Sequence, residues 1–277
     1  MHACRQRITH MTLFHLILVA AIQGLTEFLP VSSSGHLVLL PALTGQPDQG
    51  LAIDVAVHVG SLLAVILYFW SDVRIAATGS LRLARGKVDT QGAFLALCLI
   101  IATIPVMIAG LIIKLTGLDE MMRSVAVIGW TMLGFGLVLY WADRTGASTR
   151  TASGWTLKDA FLMGLAQILS LIPGTSRSGI TITAARRLGY EREGAAKLAM
   201  LMSIPTIIAS GAVLGADVIG EADWQMARDG ALAAALAFVS ALLALALMMR
   251  LLKSVSFTPY VVYRVILGLI LLVYAYS

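Results

Sequence analysis

Charge is scarce in this chain. Asp, Glu, Lys and Arg make up 13% of its 277 residues, against roughly 25% in soluble domains, and the mean hydropathy is +0.87. A soluble enzyme core is therefore excluded, and the solvent that suits these side chains is a bilayer. Cysteine is nearly absent. Cys4 and Cys98 have no CxxC spacing, which argues against a zinc site or a disulfide framework and leaves both as inert small apolar residues. The net charge of +5 and pI near 9.4 do not indicate a nucleic-acid partner. The cations sit in short segments between apolar runs, where they mark cytoplasmic loops against anionic headgroups.

What is present is a series of apolar runs long enough to cross a hydrocarbon core, which takes about 20 helical residues. They fall at 51–70, 93–115, 125–141, 199–219, 231–252 and 259–276. Two more, around 11–43 and 161–188, are broken by polar, glycine- and proline-containing segments and read as helix-break-helix hairpins. Arg5 and Arg7 precede the first, but no small-residue cleavage site follows and Gln23 and Glu27 interrupt the run, so the N-terminus is expected to be retained, with Met11 as an alternative start.

The two broken stretches resemble each other. At an offset of 144, Gln23 meets Gln167, Leu25 meets Leu169, and Ser32-Ser33-Ser34-Gly35 meets Ser176-Arg177-Ser178-Gly179. Repeats of this kind take precedence over other fold signals. Three crossings follow each broken segment, so hairpins that do not cross must enter from opposite faces. The expected fold is an all-α polytopic membrane protein, with about six transmembrane helices and two re-entrant hairpins arranged as inverted-topology repeats, 11–142 and 158–277. Arg74, Arg82, Arg85 and Lys87, then Arg144, Arg150 and Lys158, then Arg186, Arg187, Arg192 and Lys197 are assigned to the cytoplasmic side. Asp119, Glu120, the acidic stretch 221–223 and both termini fall outside, a placement against which Arg5 and Arg7 run.

Gln23 and Glu27, four apart, share one helix face inside an apolar run. A carboxylate there faces a protein interior or a water cavity and marks an ion, proton or substrate site, or else serves as polar glue between helices. In Pro30-Val31-Ser32-Ser33-Ser34-Gly35-His36 the proline ends one helix and the serines open the next, whose free amides suit an anion. His36 is a candidate acid, base or nucleophile toward phosphorus. Pro173-Gly174-Thr175-Ser176-Arg177-Ser178-Gly179-Ile180-Thr181 repeats the device. Arg177 reads either as a bidentate phosphate clamp or as the partner of Glu27 across the repeat interface. Asp54, His58, Lys114 and Gln167 have no cluster in the sequence, so local hydrogen bonds are their default. Asp72 and Asp217 sit at span ends.

Over these two signatures, and in length and span pattern, the chain closely resembles the bacitracin-resistance-type undecaprenyl-diphosphate phosphatases. The resemblance implies an integral enzyme of the bacterial inner membrane, its site open to the periplasm. It would convert undecaprenyl diphosphate to the monophosphate and recycle the carrier for cell-wall synthesis. It also implies a divalent cation, Mg²⁺ or Ca²⁺, on Glu27 and Gln23; Glu27, Ser33, His36 and Arg177 as catalytic residues; and Ser32, Gly174, Ser176, Ser178 and Thr181 around the substrate. Ser33 or a water would attack, with His36 or Glu27 taking the proton. The expected partners are the polyprenyl diphosphate and membrane lipids, with room for a homo-oligomer. The type-2 phosphatidic acid phosphatases also use Ser-Gly-His and Ser-Arg elements, but they need an Arg-Pro and a later histidine. Here no Arg-Pro occurs and no histidine follows His58. The alternative from another class is a transporter or flippase of a polyprenyl phosphate or small anion, which the inverted-repeat fold also suits.

Overall fold

A computed structural model describes residues 12–118, 122, 124–218 and 224–277. Cys4, Arg5, Arg7, Met11, Asp119, Glu120 and the acidic stretch 221–223 lie outside the described residues, as does the side chain of Asp217. The described chain is helical, with an isolated bridge between Arg150 and Tyr190. In chain order the helices are α1 (Leu13–Glu27), α2 (Ser33–Thr44), α3 (Gly50–Tyr68), α4 (Trp70–Leu83), α5 (Gln91–Thr116) and α6 (Val125–Thr145). Then come α7 (Leu157–Gln167), prolonged by a 3₁₀ turn over Ile168–Leu171, α8 (Arg177–Arg187), α9 (Arg192–Val218), α10 (Trp224–Leu251) and α11 (Thr258–Tyr276).

Six of these, α3, α5, α6, α9, α10 and α11, are long and apolar enough to cross a membrane, and they coincide with the six uninterrupted apolar runs. Large apolar side chains such as Leu63, Leu67, Ile104, Ile108, Leu243 and Ile270 remain exposed on them, as a lipid-facing girdle requires. The helix-to-helix seams are built instead from small residues. Ala233, Ala237 and Ala241 of α10 are fully buried, and Gly24 of α1 and Gly60 of α3 face the α10 backbone at Ala237 and Ala234. With no hydrophobic drive between helices in lipid, such close backbone approach is what holds them together.

Several of the contacts form matched pairs. α1 packs on α10 as α7 packs on α5; α3 crosses α10 as α9 crosses α5; α1 meets α2 as α7 meets α8; and α3 meets α9 while α6 meets α11. One element has no counterpart in this scheme. The basic segment after α3 reads as a loop from its charge, whereas it folds as α4. Its only buried residue is Gly79, set so tightly on Gly92 of α5 that a Cβ would come within 2.0 Å of backbone. Trp70 and Leu81 stay exposed beside its arginines, the composition of a helix lying in a membrane interface.

Ion pairs gather the basic segments at one end of the bundle. Asp143, 3% exposed, accepts from Arg186 Nε (3.0 Å), Arg192 Nε (2.8 Å) and the Phe257 amide (3.3 Å), so it ties the ends of α6 and α8 to the starts of α9 and α11. Asp159 does the same for the segment before α7, accepting from Arg150, Thr156 and Tyr190. Lys197 joins α9 to Asp72 of α4 at 2.8 Å. Breaking a buried pair from one side leaves an uncompensated charge and costs about 3–5 kcal/mol. The variant Asp143→Ala, which strands the buried Arg186, is therefore expected to lower the unfolding temperature in detergent by many degrees. A melting curve superimposable on wild type would remove this cluster from the list of stabilising features.

Candidate active site

The two broken segments are built alike. Ser32 and Ser176 cap α2 and α8 with φ of +76° and +72°, a region in which non-glycine residues are strained by about 1–3 kcal/mol and which clusters at functional sites. Each serine hydroxyl accepts the amide of the third residue on, Gly35 at 3.3 Å and Gly179 at 3.1 Å. Each lies near a second hydroxyl, Ser34 at 3.3 Å and Ser178 at 3.1 Å. The remaining first-turn amides of both helices are thereby left for an anion.

Between the breaks lies a guanidinium that, among the described residues, has no carboxylate partner. Arg264, in mid-α11, is fully buried and donates to Pro30 O (3.2 Å) in the first break and to Gly174 O (3.1 Å) and Thr175 O (2.9 Å) in the second. It also reaches Met132 O (3.2 Å) and Thr131 O (3.3 Å) in α6. Two more bonds close the junction: Ser178 Oγ donates to Leu29 O at 2.9 Å, and Thr131 Oγ1 to Pro173 O at 2.6 Å. Gly174 must be glycine, since its φ is +87° and a Cβ would fall 2.2 Å from Thr131 Oγ1.

This junction sets Glu27 opposite the start of α8. One carboxylate oxygen takes Nη2 of Arg177. The other, Oε2, accepts from Ser33 Oγ (2.7 Å) and Gln23 Nε2 (2.8 Å), and His58 Nε2 stands 3.8 Å from it. Glu27, Ser32, Ser33, Ser34, Ser176 and Arg177 line one side of a cavity of about 480 Å³. Asp54 and His58 of α3 line another, and Leu51, Val55, Val106, Ile207 and Leu214 supply its apolar wall.

Not every residue singled out from sequence reaches that wall. Gln23 is fully buried at the back of Glu27. Thr181 turns its hydroxyl onto Arg177 O and Ser178 O of its own helix, Ser178 is spent on Leu29 O, and Gly174 offers its carbonyl to Arg264. His36 hydrogen-bonds Ser32 O through Nδ1 and the Tyr263 hydroxyl through Nε2, both at 2.6 Å, with its ring stacked on Tyr263. None of these five lines the cavity. Gln167, the counterpart of Gln23, is likewise buried and bonds Thr206 at 3.3 Å. Asp54 and His58, which sequence reading leaves as local hydrogen-bonders, do reach the cavity. Their i, i+4 spacing inside a span is the signal that singles out Gln23 and Glu27. Arg264 also carried a signal, as an arginine in the middle of an apolar run, but no polar neighbour in sequence drew attention to it.

Among the described residues no three of His, Cys, Asp and Glu are grouped as a ready-made metal cage. Gln23 Oε1, however, is a buried oxygen with no hydrogen-bond partner, beside the single carboxylate of Glu27. Hard divalent cations such as Mg²⁺ are often held by only one or two carboxylates together with substrate phosphates. Of Gln23 and Glu27 only Glu27 lines the cavity, so a cation shared there with a phosphate ligand would rest on that one carboxylate.

Arg264→Met keeps an unbranched, flexible stem and removes every donor. Each buried carbonyl left without a partner costs about 1–3 kcal/mol, so the variant is expected to unfold at much lower temperature, and Gly174→Ala to do the same through backbone strain and collision with Thr131. Wild-type melting of Arg264→Met in detergent would show that the breaks hold together without it.

The family described as Bacitracin resistance protein BacA matches residues 16–270. An undecaprenyl-diphosphatase of Dinoroseobacter shibae is 69% identical over 96% of this chain and 100% of its own length. One of Ruegeria pomeroyi is 67% identical over the same shares. The more distant undecaprenyl-diphosphatase 1 of Rhodospirillum rubrum is 45% identical over 96% of each chain. A family match across nearly all of the chain, and relatives this similar from end to end, agree with the two signatures that build the junction: the chain belongs to the bacitracin resistance protein BacA family.

Proposed function

We propose that this chain is a multi-pass membrane hydrolase that converts undecaprenyl diphosphate to undecaprenyl phosphate and inorganic phosphate. This recycles the lipid carrier for cell-wall synthesis and opposes bacitracin. Names and identity of the relatives support the activity. The observation that carries the chemistry is the Ser33 hydroxyl donated to Glu27 at 2.7 Å, with Arg177 on the other carboxylate oxygen, at the wall of the cavity.

A serine hydroxyl is a weak nucleophile until an adjacent base takes its proton. Glu27 is that base. Ser33 attacks the terminal phosphorus, and the carrier monophosphate departs. His36, with both ring nitrogens engaged, acts as a positioning residue that fixes the start of α2 through Ser32. Arg177 gives one of its five N–H donors to Glu27 and turns the others to phosphate oxygens. Ser32, Ser176 and the helix-start amides complete the anion site, with Gly174, Ser178 and Thr181 supporting it from behind. Positioning and charge neutralisation account for most catalysis in phosphoryl transfer. Glu27 would hold a divalent cation, with Gln23 bracing it from behind, and the cation would offset charge on the diphosphate.

The two halves, 11–142 and 158–277, are read as inverted repeats with re-entrant hairpins meeting at the junction, a reading supported by the matched helix contacts. The cavity is bounded by the first turns of α3 and the last turns of α9, at the end away from the basic loops. By the positive-inside rule that end faces the periplasm. The diphosphate enters there while the prenyl tail stays in lipid along the apolar wall.

The test is inorganic phosphate released from undecaprenyl diphosphate by purified protein in detergent, with and without divalent cation. Ser33→Ala, Glu27→Gln and Arg177→Ala are each expected to lower kcat by about 10²-fold or more, and chelation of divalent cations is expected to lower wild-type turnover. Folded wild-type protein that releases no phosphate across cations and prenyl lengths would reject the hydrolase and favour a polyprenyl-phosphate or anion transporter on the same fold.

A further inference from the structure

We propose that His58 is a second catalytic base, the group that activates water in the second half of the reaction; the inference rests on the serine mechanism above. That mechanism takes two displacements. In the first, the Ser33 proton passes to Glu27, the Ser33 Oγ–phosphorus bond forms, and the bridging bond to the leaving carrier monophosphate breaks. In the second, a water must lose a proton as its oxygen bonds phosphorus, while the bond from Ser33 to phosphorus breaks and Ser33 regains a proton. Glu27 still holds the serine's proton and returns it to Ser33 Oγ. It is not available as the acceptor for water, so a second proton acceptor is needed at the same place.

The geometry points to one side chain. His58 Nδ1 lies 2.7 Å from Asp54 O, and because a carbonyl only accepts, Nδ1 carries a hydrogen and, in the neutral ring, Nε2 carries the lone pair. Orientation of this kind, with one nitrogen held by backbone and the other free, is how imidazole bases are usually set. Nε2 faces the Glu27 carboxylate at 3.8 Å, too far for a direct hydrogen bond, and the ring is 37% exposed, on the cavity wall. The competing imidazole, His36, has neither nitrogen to spare. Asp54 accepts Gln49 Nε2 at 2.8 Å and sits one turn farther toward the mouth along α3. Gln23 donates to the same oxygen of Glu27 that accepts from Ser33, and among the described residues Glu27 is the carboxylate hydrogen-bonded to Ser33. The balance closes: diphosphate and one water give monophosphate, inorganic phosphate and the proton on His58, which then passes to solvent through the cavity mouth.

The assignment makes a prediction that a structural role for His58 does not. In His58→Gln the first displacement survives and the second fails. Rapid-quench experiments with undecaprenyl diphosphate are expected to give a burst approaching one equivalent of undecaprenyl phosphate per enzyme, with Ser33 phosphorylated by mass spectrometry. Steady-state phosphate release should then be slower by about 10²-fold or more, the usual worth of a general base. The burst should be absent in Ser33→Ala. With His58→Ala, added imidazole should restore turnover and shorten the life of the phosphoserine. Turnover of His58→Gln close to wild type overturns the assignment, as does lost turnover with no burst and no imidazole rescue. Failure of wild-type protein to release phosphate at all would instead count against the hydrolase reading itself.

Discussion

A guanidinium that answers to carbonyls alone organises the site. Unwound backbone inside an apolar bundle leaves polar groups that no lipid can satisfy, and both breaks present such groups to the same place. Arg264 meets Pro30 O, Gly174 O and Thr175 O together and anchors them to α6 through Met132 O and Thr131 O. Burying a charge without a counter-ion is costly, and here five carbonyl dipoles offset it. Because the same side chain grips both segments, neither break can shift without the other. The strained serine caps, the glycine contact with Thr131 and the Ser178–Leu29 bond all rest on that shared grip.

The two breaks have the same backbone and different chemistry. Ser33 and Arg177 are equivalent, each the first residue of its helix, so one helix start presents a hydroxyl and the other a guanidinium. Glu27 is matched by Leu171, and the buried glutamines Gln23 and Gln167 keep their places behind them. A symmetric scaffold thus converges on an asymmetric cavity. Two like helix starts face it from both sides, and single differences at matched positions set a carboxylate, a hydroxyl and a guanidinium around it. The Glu27–Arg177 pair holds this arrangement before a ligand arrives. An arginine with several donors can keep that partner while gaining a phosphate.

The far end of the bundle solves a separate problem. Asp143 and Asp159 neutralise Arg186, Arg192 and Arg150 where four connecting segments meet. These pairs stand apart from the cavity, so the charge of the arginine-rich segments and the Glu27–Arg177 pair are kept separate. Six of the helices, and the polarity of the loops between them, were legible because apolar length and loop charge are local properties of a chain in lipid. The helix α4 was not, since its hold is the glycine contact between Gly79 and Gly92 and its charges resemble those of a loop.

Within the site the same division holds. Prolines ending helices, serines and glycines opening them, and a carboxylate or guanidinium set in apolar surroundings are features of consecutive residues. From them the amino-acid order alone located both breaks, Glu27, Ser33 and Arg177, and the family. Some of the contacts that build the site join residues 149 or more apart in sequence, as with Ser178 and Leu29 or Arg264 and Pro30. Packing alone turned His36 toward Tyr263, brought His58 beside Glu27 and placed Arg264 between the breaks. These outcomes follow from distances across helix seams, and no spacing along the chain encodes a distance across a seam.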